Sequence, residues 1–227
     1  SITATGGIAI NNKIDADAGG NNRTLTLNSG TGSTMTFSGA IGSSEALSGL
    51  TITQSNGATF GSTVNAGTIT LTDTENGSDI TFAGSVTTDT LNLAQQGYDL
   101  IFNGGGTFTN AVTFDNTGTL NLGNASGDTF NFNGGVTEST SGTVTLASTI
   151  NSSNDAISFG AVTLGANTTI DTNASSNAAD LTIGAVTGGN NTLTLTTENN
   201  IANADITASG AISGVTTLTL ASVGGTA

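Results

Sequence analysis

The sequence predicts an all-β fold, a right-handed parallel β-helix (β-solenoid) with coils of about 24 residues. Three observations carry that prediction. Apolar residues recur in short, strictly alternating runs. A Phe-Gly-x-Val element returns at a nearly fixed interval. Residues suited to sharp turns separate one run from the next.

The alternating runs come first. Thr24-Leu25-Thr26-Leu27, Thr90-Leu91-Asn92-Leu93, Thr119-Leu120-Asn121-Leu122 and Thr217-Leu218-Thr219-Leu220 each place every second side chain on one face. That is the pattern of a strand with one buried side. It also sets aside disorder, which a polar, Gly-rich chain would otherwise suggest. Helix is excluded by the abundance of Thr, Gly and Asn and by the lack of any run with 3.6-residue periodicity.

The repeated element reads Phe37-Ser38-Gly39-Ala40-Ile41, Phe60-Gly61-Ser62-Thr63-Val64 and Phe82-Ala83-Gly84-Ser85-Val86. It returns as Phe132-Asn133-Gly134-Gly135-Val136, Phe159-Gly160-Ala161-Val162, Ile183-Gly184-Ala185-Val186 and Ala208-Ser209-Gly210-Ala211-Ile212, with Phe102-Asn103-Gly104-Gly105 in the remaining slot. Seven intervals separate positions 37 and 208, a mean of about 24 residues, and their unevenness is expected to reflect loop insertions. Repeats this short cannot bury an apolar face alone and must stack on their neighbours. Phe37, Phe60, Phe82, Phe102, Phe132 and Phe159 are therefore expected to form one internal ladder. A longer echo, Gly19-Gly20-Asn21-Asn22 and Gly188-Gly189-Asn190-Asn191, precedes Thr-Leu-Thr-Leu in both places, and the two copies stand close to seven coils apart. An antiparallel sandwich also has short strands, but it has no reason to return the same side-chain class at the same phase.

Composition narrows the partners. Charged residues make up 8% of the chain, against roughly 25% in ordinary domains. Sixteen acidic residues face only Lys13 and Arg23, giving a net charge of −14. Nucleic acid, which needs clustered Lys and Arg, is not an expected partner. Nor is an anionic membrane surface, and no run of apolar residues is long enough to span a bilayer. The absence of Cys excludes a disulfide-stapled scaffold. The chain opens at Ser1 without Met and stops at Ala227 in mid-pattern. Residues 1–227 are thus expected to be one continuous β-solenoid, a segment of a longer repetitive chain or fibre.

These Gly- and Asn-rich coils with Thr-Leu-Thr-Leu strands, little charge and no Cys resemble the passenger regions of autotransporters and the filamentous-haemagglutinin-type bacterial surface adhesins. The resemblance is one of style and repeat period, without a diagnostic motif, and it covers the whole chain. It implies a parallel β-helix on the outer surface of a Gram-negative cell, with a role in adhesion, biofilm formation or scaffolding.

Little in the sequence equips it for catalysis. Without His or Cys there is no Ser-His or Cys-His nucleophile pair and no imidazole metal site. No catalytic residue, cofactor or metal is expected. Asp79, Asp99, Asp128, Asp155, Asp180 and Asp205 each shortly precede the Phe-Gly element, so they are expected to stack along one edge. Such residues ordinarily start turns by holding backbone N–H groups. They are also the candidates for Ca²⁺, were it to bridge a column of carboxylates. Thr-x-Thr pairs at 24/26, 51/53, 68/70, 143/145, 192/194 and 217/219 suggest an alternative, a carbohydrate- or ice-binding module. Thr is equally a common outward residue on any pleated surface. The expected function is that of a structural, cell-surface or extracellular rod without enzyme activity, adhesin-like or fibre-forming. Its expected partners are copies of itself stacked head to tail, or other surface and matrix components.

Overall fold

In the computed structural model, which describes residues 1–138, 140–173, 175–198, 201–221 and 223–227, the chain winds into a parallel β-solenoid of about nine turns with no helix among the described residues. Every strand pairing among the described residues is parallel. One ladder shows the winding most directly. Ile8, Met35, Ala58, Ile80, Leu100, Leu120, Val144, Val162, Val186 and Ile212 are successive partners, ten apolar residues one above another. The nine steps average about 23 residues, slightly under the spacing read from the sequence. At about 4.8 Å per step the stack is about 43 Å long.

Each coil has three faces. The first carries that ladder, in strands such as Ala58–Phe60, Asp79–Phe82 and Val144–Leu146. The second begins as single bridges at Ile14 and Ile41 and then becomes strands, among them Val86–Thr88, Gly106–Phe108, Thr129–Phe132 and Thr217–Ala221. The third runs from Ile2–Thr3 through Thr24–Asn28 and Leu47–Gln54 to Thr90–Leu93, and continues as a separate five-stranded sheet from Val112–Phe114 to Ile206–Ala208. The second and third faces are joined early in the chain by one long strand, Val64–Leu71. Its first residues pair with Val86 and Thr87 and its last four with Thr90–Leu93. The fork is held by Thr88, whose buried hydroxyl donates to the carbonyls of Gly67 and Thr90.

Inward side chains from all three faces fill one continuous apolar core, and all nine Phe residues lie in it. Four of the six that the repeat assigned to one ladder do stack. Phe37, Phe60, Phe82 and Phe102 follow one another with ring centroids 5.1, 4.9 and 5.0 Å apart and planes within 9°. The other two do not belong to it. Above Phe102 the first face continues with Leu122, Leu146 and Leu164. Phe132 lies on the second face, stacked on Phe108 at 4.9 Å, and Phe159 lies on the third beside Ile183. Phe102 meets the edges of Phe108, Phe114 and Phe130, so the aromatic column crosses the interior there and changes sides.

The cause is a slip between sequence repeat and coil. The element at Phe37, Phe60, Phe82 and Phe102 turns the first corner, from first to second face. At Phe132 the same element turns the second corner, and at Phe159, Ile183 and Ala208 the third. The two longest steps, from Phe102 to Phe132 and from Phe132 to Phe159, are therefore not loop insertions. Each is one full coil plus one further face. The longer echo has the same fate: Thr24–Asn28 lies on the third face and Thr192–Thr196 on the second.

The element can serve any corner because a Gly in it meets the same demand at each corner, although the Gly61 and Gly160 copies are looser, with nearest atoms 3.2 and 3.4 Å from a Cβ position. At the first corner a Cβ on Gly84 would lie 2.5 Å from the carbonyl carbon of Ser62 in the coil below. At the third corner, one on Gly184 would lie 2.6 Å from that of Gly160. Backbone touches backbone there, and only Gly permits the coils to close to strand spacing.

Candidate functional site

The slip also redistributes the six aspartates, which do not form one column. Asp79 and Asp99 are register partners at the entrance to the first face, Asp128 stands before the second, and Asp155, Asp180 and Asp205 stand before the third. No group of three or more Asp, Glu, His or Cys side chains gathers around a common point among the described residues.

Several of these carboxylates have defined work in the backbone. Asp99 Oδ1 accepts the N–H of Thr119 at 2.6 Å, Asp180 Oδ1 that of Asp205 at 3.0 Å, and Asp205 Oδ1 that of Thr226 at 2.6 Å. Asp15, Asn76 and Asn167 hold Ser44, Gly97 and Thr192 in the same way. Asn154, itself at φ +72°, receives the N–H groups of Ser175, Ser176 and Asn177. The acceptor always belongs to the earlier coil and the N–H to the later one. At a corner the backbone leaves the ladder, and its N–H groups would otherwise go unpaired. A short Asx side chain from the coil below supplies the missing acceptor. Asp128 instead caps its own loop, accepting from Asn124 and Ala125.

The two basic residues are both occupied. Arg23 forms a two-pronged pair with Asp17, with both N–O distances 2.7 Å, and Lys13 lies 2.8 Å from Asp15. The hydrogen bonds from Arg23 and Asn21 hold the Asp17 carboxyl far below the usual carboxylate range, and those from Lys13 and Ser44 hold Asp15 at about 2. Asp171 is shifted the other way. Burial raises it against the opposing N–H of Asn173, and the negative charge of Glu198 adds to the rise. Its neighbours in register are Asn151 and Thr196, neither of which carries positive charge.

Glu138 escaped the sequence reading. It is 2% exposed and stands opposite Phe114 on an inward column of the third face. Its carboxylate accepts the N–H of Ser141 at 2.8 Å and that of Gly160 at 3.3 Å. A signal was present, because in Val136-Thr137-Glu138 the Glu takes the inward phase of the alternation.

Outward positions carry mostly short polar side chains on every face, with Ile101 an apolar exception between Thr81 and Asn121. Thr36, Thr59 and Thr81 form a column on the first face, Thr129, Thr149, Thr169, Thr194 and Thr219 on the second, and Thr26, Thr51 and Thr70 on the third. The Thr-x-Thr pairs are thus scattered over three faces. Two consecutive ones are also out of step, since Thr26 rather than Thr24 stands opposite Thr51. All nine Phe residues and Tyr98 are buried, so the surface offers no aromatic platform on which a sugar ring could stack. Comparison with known proteins gives no matching family model, no matching curated protein and no matching solved structure.

Proposed function

We propose that this chain is a structural rod of the cell exterior, an adhesin-like or fibre-forming β-solenoid without catalytic activity. The observation that supports this reading is the uninterrupted ten-rung stack, whose first-face ladder is apolar at every rung and whose outward columns are mostly short and polar on all three faces. Such an object spans distance and resists bending, because each coil is held to the next by a full set of parallel backbone hydrogen bonds. Apart from Leu218 and Leu220, exposed on the last rung, its bulky apolar side chains are used in stacking, and its surface repeats the same Thr, Ser and Asn chemistry from coil to coil. Binding to a partner would then rest on many weak, repeated contacts rather than on one pocket. Further coils of the same kind, or surface and matrix components, are the partners this implies, and the outside of a Gram-negative cell is the place.

The test is to display the chain on the surface of a non-adherent bacterium and measure attachment to matrix-coated surfaces, alongside electron microscopy of the purified protein. Straight rods and increased attachment are expected. Turnover of a polysaccharide by the purified protein, abolished by a single Asp substitution, would overturn the reading.

A further inference from the structure

The sequence contains four Asn-Gly pairs: Asn56-Gly57, Asn76-Gly77, Asn103-Gly104 and Asn133-Gly134. We propose that one of them, Asn76, is a site of spontaneous, self-catalysed deamidation, selected from the four by the solenoid itself. In such a pair the peptide nitrogen of Gly attacks Cγ of the preceding Asn side chain. A C–N bond forms to close a five-membered succinimide, the bond to the amide nitrogen breaks, and that nitrogen leaves as ammonia with the proton of the attacking N–H. Water then opens the ring at either carbonyl. One product is Asp. The other is isoaspartate, in which the backbone runs through the former side-chain carbon. Water is the only co-reactant.

Ring closure needs the Gly backbone to move toward the Asn side chain, and three of the four pairs forbid that. Gly57 is buried, and a Cβ there would lie 3.2 Å from the carbonyl of Asp79. Gly104 and Gly134 are wedged against the coil below, where added Cβ atoms would lie 2.6 Å and 2.4 Å from the backbone of Gly84 and Ala111. Moving any of the three separates coils. Asn76 and Gly77 are both exposed at a corner between Val64–Leu71 and Asp79–Phe82, and nothing lies within 4 Å of the Gly77 Cβ position.

Gly97, in the coil above, faces both reacting partners. Its N–H donates to Asn76 Oδ1 at 3.0 Å, and its carbonyl accepts the N–H of Gly77 at 2.9 Å. The first contact polarises the carbonyl under attack and stabilises the oxyanion that forms on it, as donors aimed at developing charge do in enzymes. The second lies where the nucleophile must shed its proton. Bringing Gly77 toward the Asn76 side chain strains the turn bond from the Ser78 N–H to the Glu75 carbonyl at 2.9 Å and moves no core side chain, so it belongs to the low-cost end of local motions. The product adds a negative charge beside Asp73, Glu75 and Asp79. In the isoaspartyl form it also lengthens the chain just before the Asp79–Phe82 rung.

Peptide mapping by mass spectrometry tests this. Folded protein is held in mildly alkaline buffer at body temperature beside a sample unfolded in guanidinium chloride. Unfolded, all four pairs should gain one mass unit at similar rates. Folded, Asn76 should convert at least about tenfold faster than the other three. Equal protection of all four, or faster conversion at Asn103 or Asn133, would overturn the proposal. The Gly97→Ala variant separates the two parts of the argument, since a Cβ there would lie 2.7 Å from Asn76 Oδ1 and displace it. The folded rate at Asn76 should fall severalfold while the unfolded rate stays the same. An unchanged folded rate would remove Gly97 from the mechanism.

Discussion

Gly84→Ala is the sharpest test of how closely the coils pack. The new Cβ would lie 2.5 Å from the carbonyl carbon of Ser62, 2.7 Å from the nitrogen of Thr63 and 2.8 Å from the oxygen of Ser62. All three are backbone atoms, so no side chain can swing aside. Relief requires the two coils to part locally by about 1 Å, since ordinary carbon contacts begin near about 3.5 Å. Two hydrogen bonds span that seam, Ala83 N–H to Phe60 at 2.8 Å and Val64 N–H to Ser85 at 3.0 Å. Stretching both beyond bonding distance costs about 1 kcal/mol each, and more where the groups stay dry. The Phe60–Phe82 stack at 4.9 Å loosens with them. The total is about 2–4 kcal/mol, in the range of overpacked cores. Gly127→Ala is the matched control, because nothing lies within 4 Å of its Cβ position. It should be neutral or stabilising by up to about 1 kcal/mol, through lost freedom in the unfolded chain. Denaturant melts followed by far-ultraviolet circular dichroism report the global effect. Hydrogen exchange shows whether the loss is confined to neighbouring coils. If Gly84→Ala melts with the parent protein, backbone contact is not what requires Gly at these corners.

Deleting residues 80–99 removes one register step, the interval from Ile80 to Leu100, and rejoins Asp79 to Leu100, leaving the Phe60 rung under that of Phe102. The shortened protein should fold with its β-spectrum intact and melt only slightly lower, whereas loss of cooperative folding would contradict stacking of equivalent coils. Asp171→Asn should stabilise the protein near neutral pH by less than about 1 kcal/mol. The folded-state pKa of Asp171 is raised, so the parent loses stability as pH climbs from the unfolded toward the folded value. The advantage of Asn should therefore fade as pH falls through about 4 and be gone near about pH 3, where both states of the parent are protonated; a pH-independent difference in melting would refute the cause given. Asp99→Ala strands the N–H of Thr119 and should cost about 1–2 kcal/mol, while Asp99→Asn retains an acceptor and should cost less. Melting in CaCl₂ should match NaCl of equal ionic strength, and a calcium-specific rise lost in an Asp79→Asn, Asp99→Asn double variant would instead mark that pair as an ion site.

The strands and the coil were legible because alternation and period are written residue by residue. Leu27 opposite Ile52 and Leu195 opposite Leu220 stand at equal spacings that are visible in the sequence. Which corner a given element turns was not legible. The local requirement, a Gly whose backbone touches the coil below followed by an inward Val or Ile, is the same at all three corners. Identical residues therefore carry no information about rotation around the axis. The placements of Phe132, Phe159 and the later aspartates were lost for that reason alone. Asn clamps such as Asn154 and Asn167 were hidden differently, because nothing local distinguishes an Asn that reaches the next coil from one in water.

The drift of one sequence unit around three corners gives the rod a handedness of surface chemistry that its cross-section lacks. From Asp79 and Asp99, through Asp128, to Asp155, Asp180 and Asp205, the negative line steps from edge to edge while the apolar ladder stays on the first face. A flat partner laid along the axis could follow this line for two or three coils before it passed out of reach. A partner that wrapped, or a bundle of such rods twisted together, could follow it further. The pitch of that drift, set by where the sequence unit overruns the coil by one face, would then govern how neighbouring rods coil around one another.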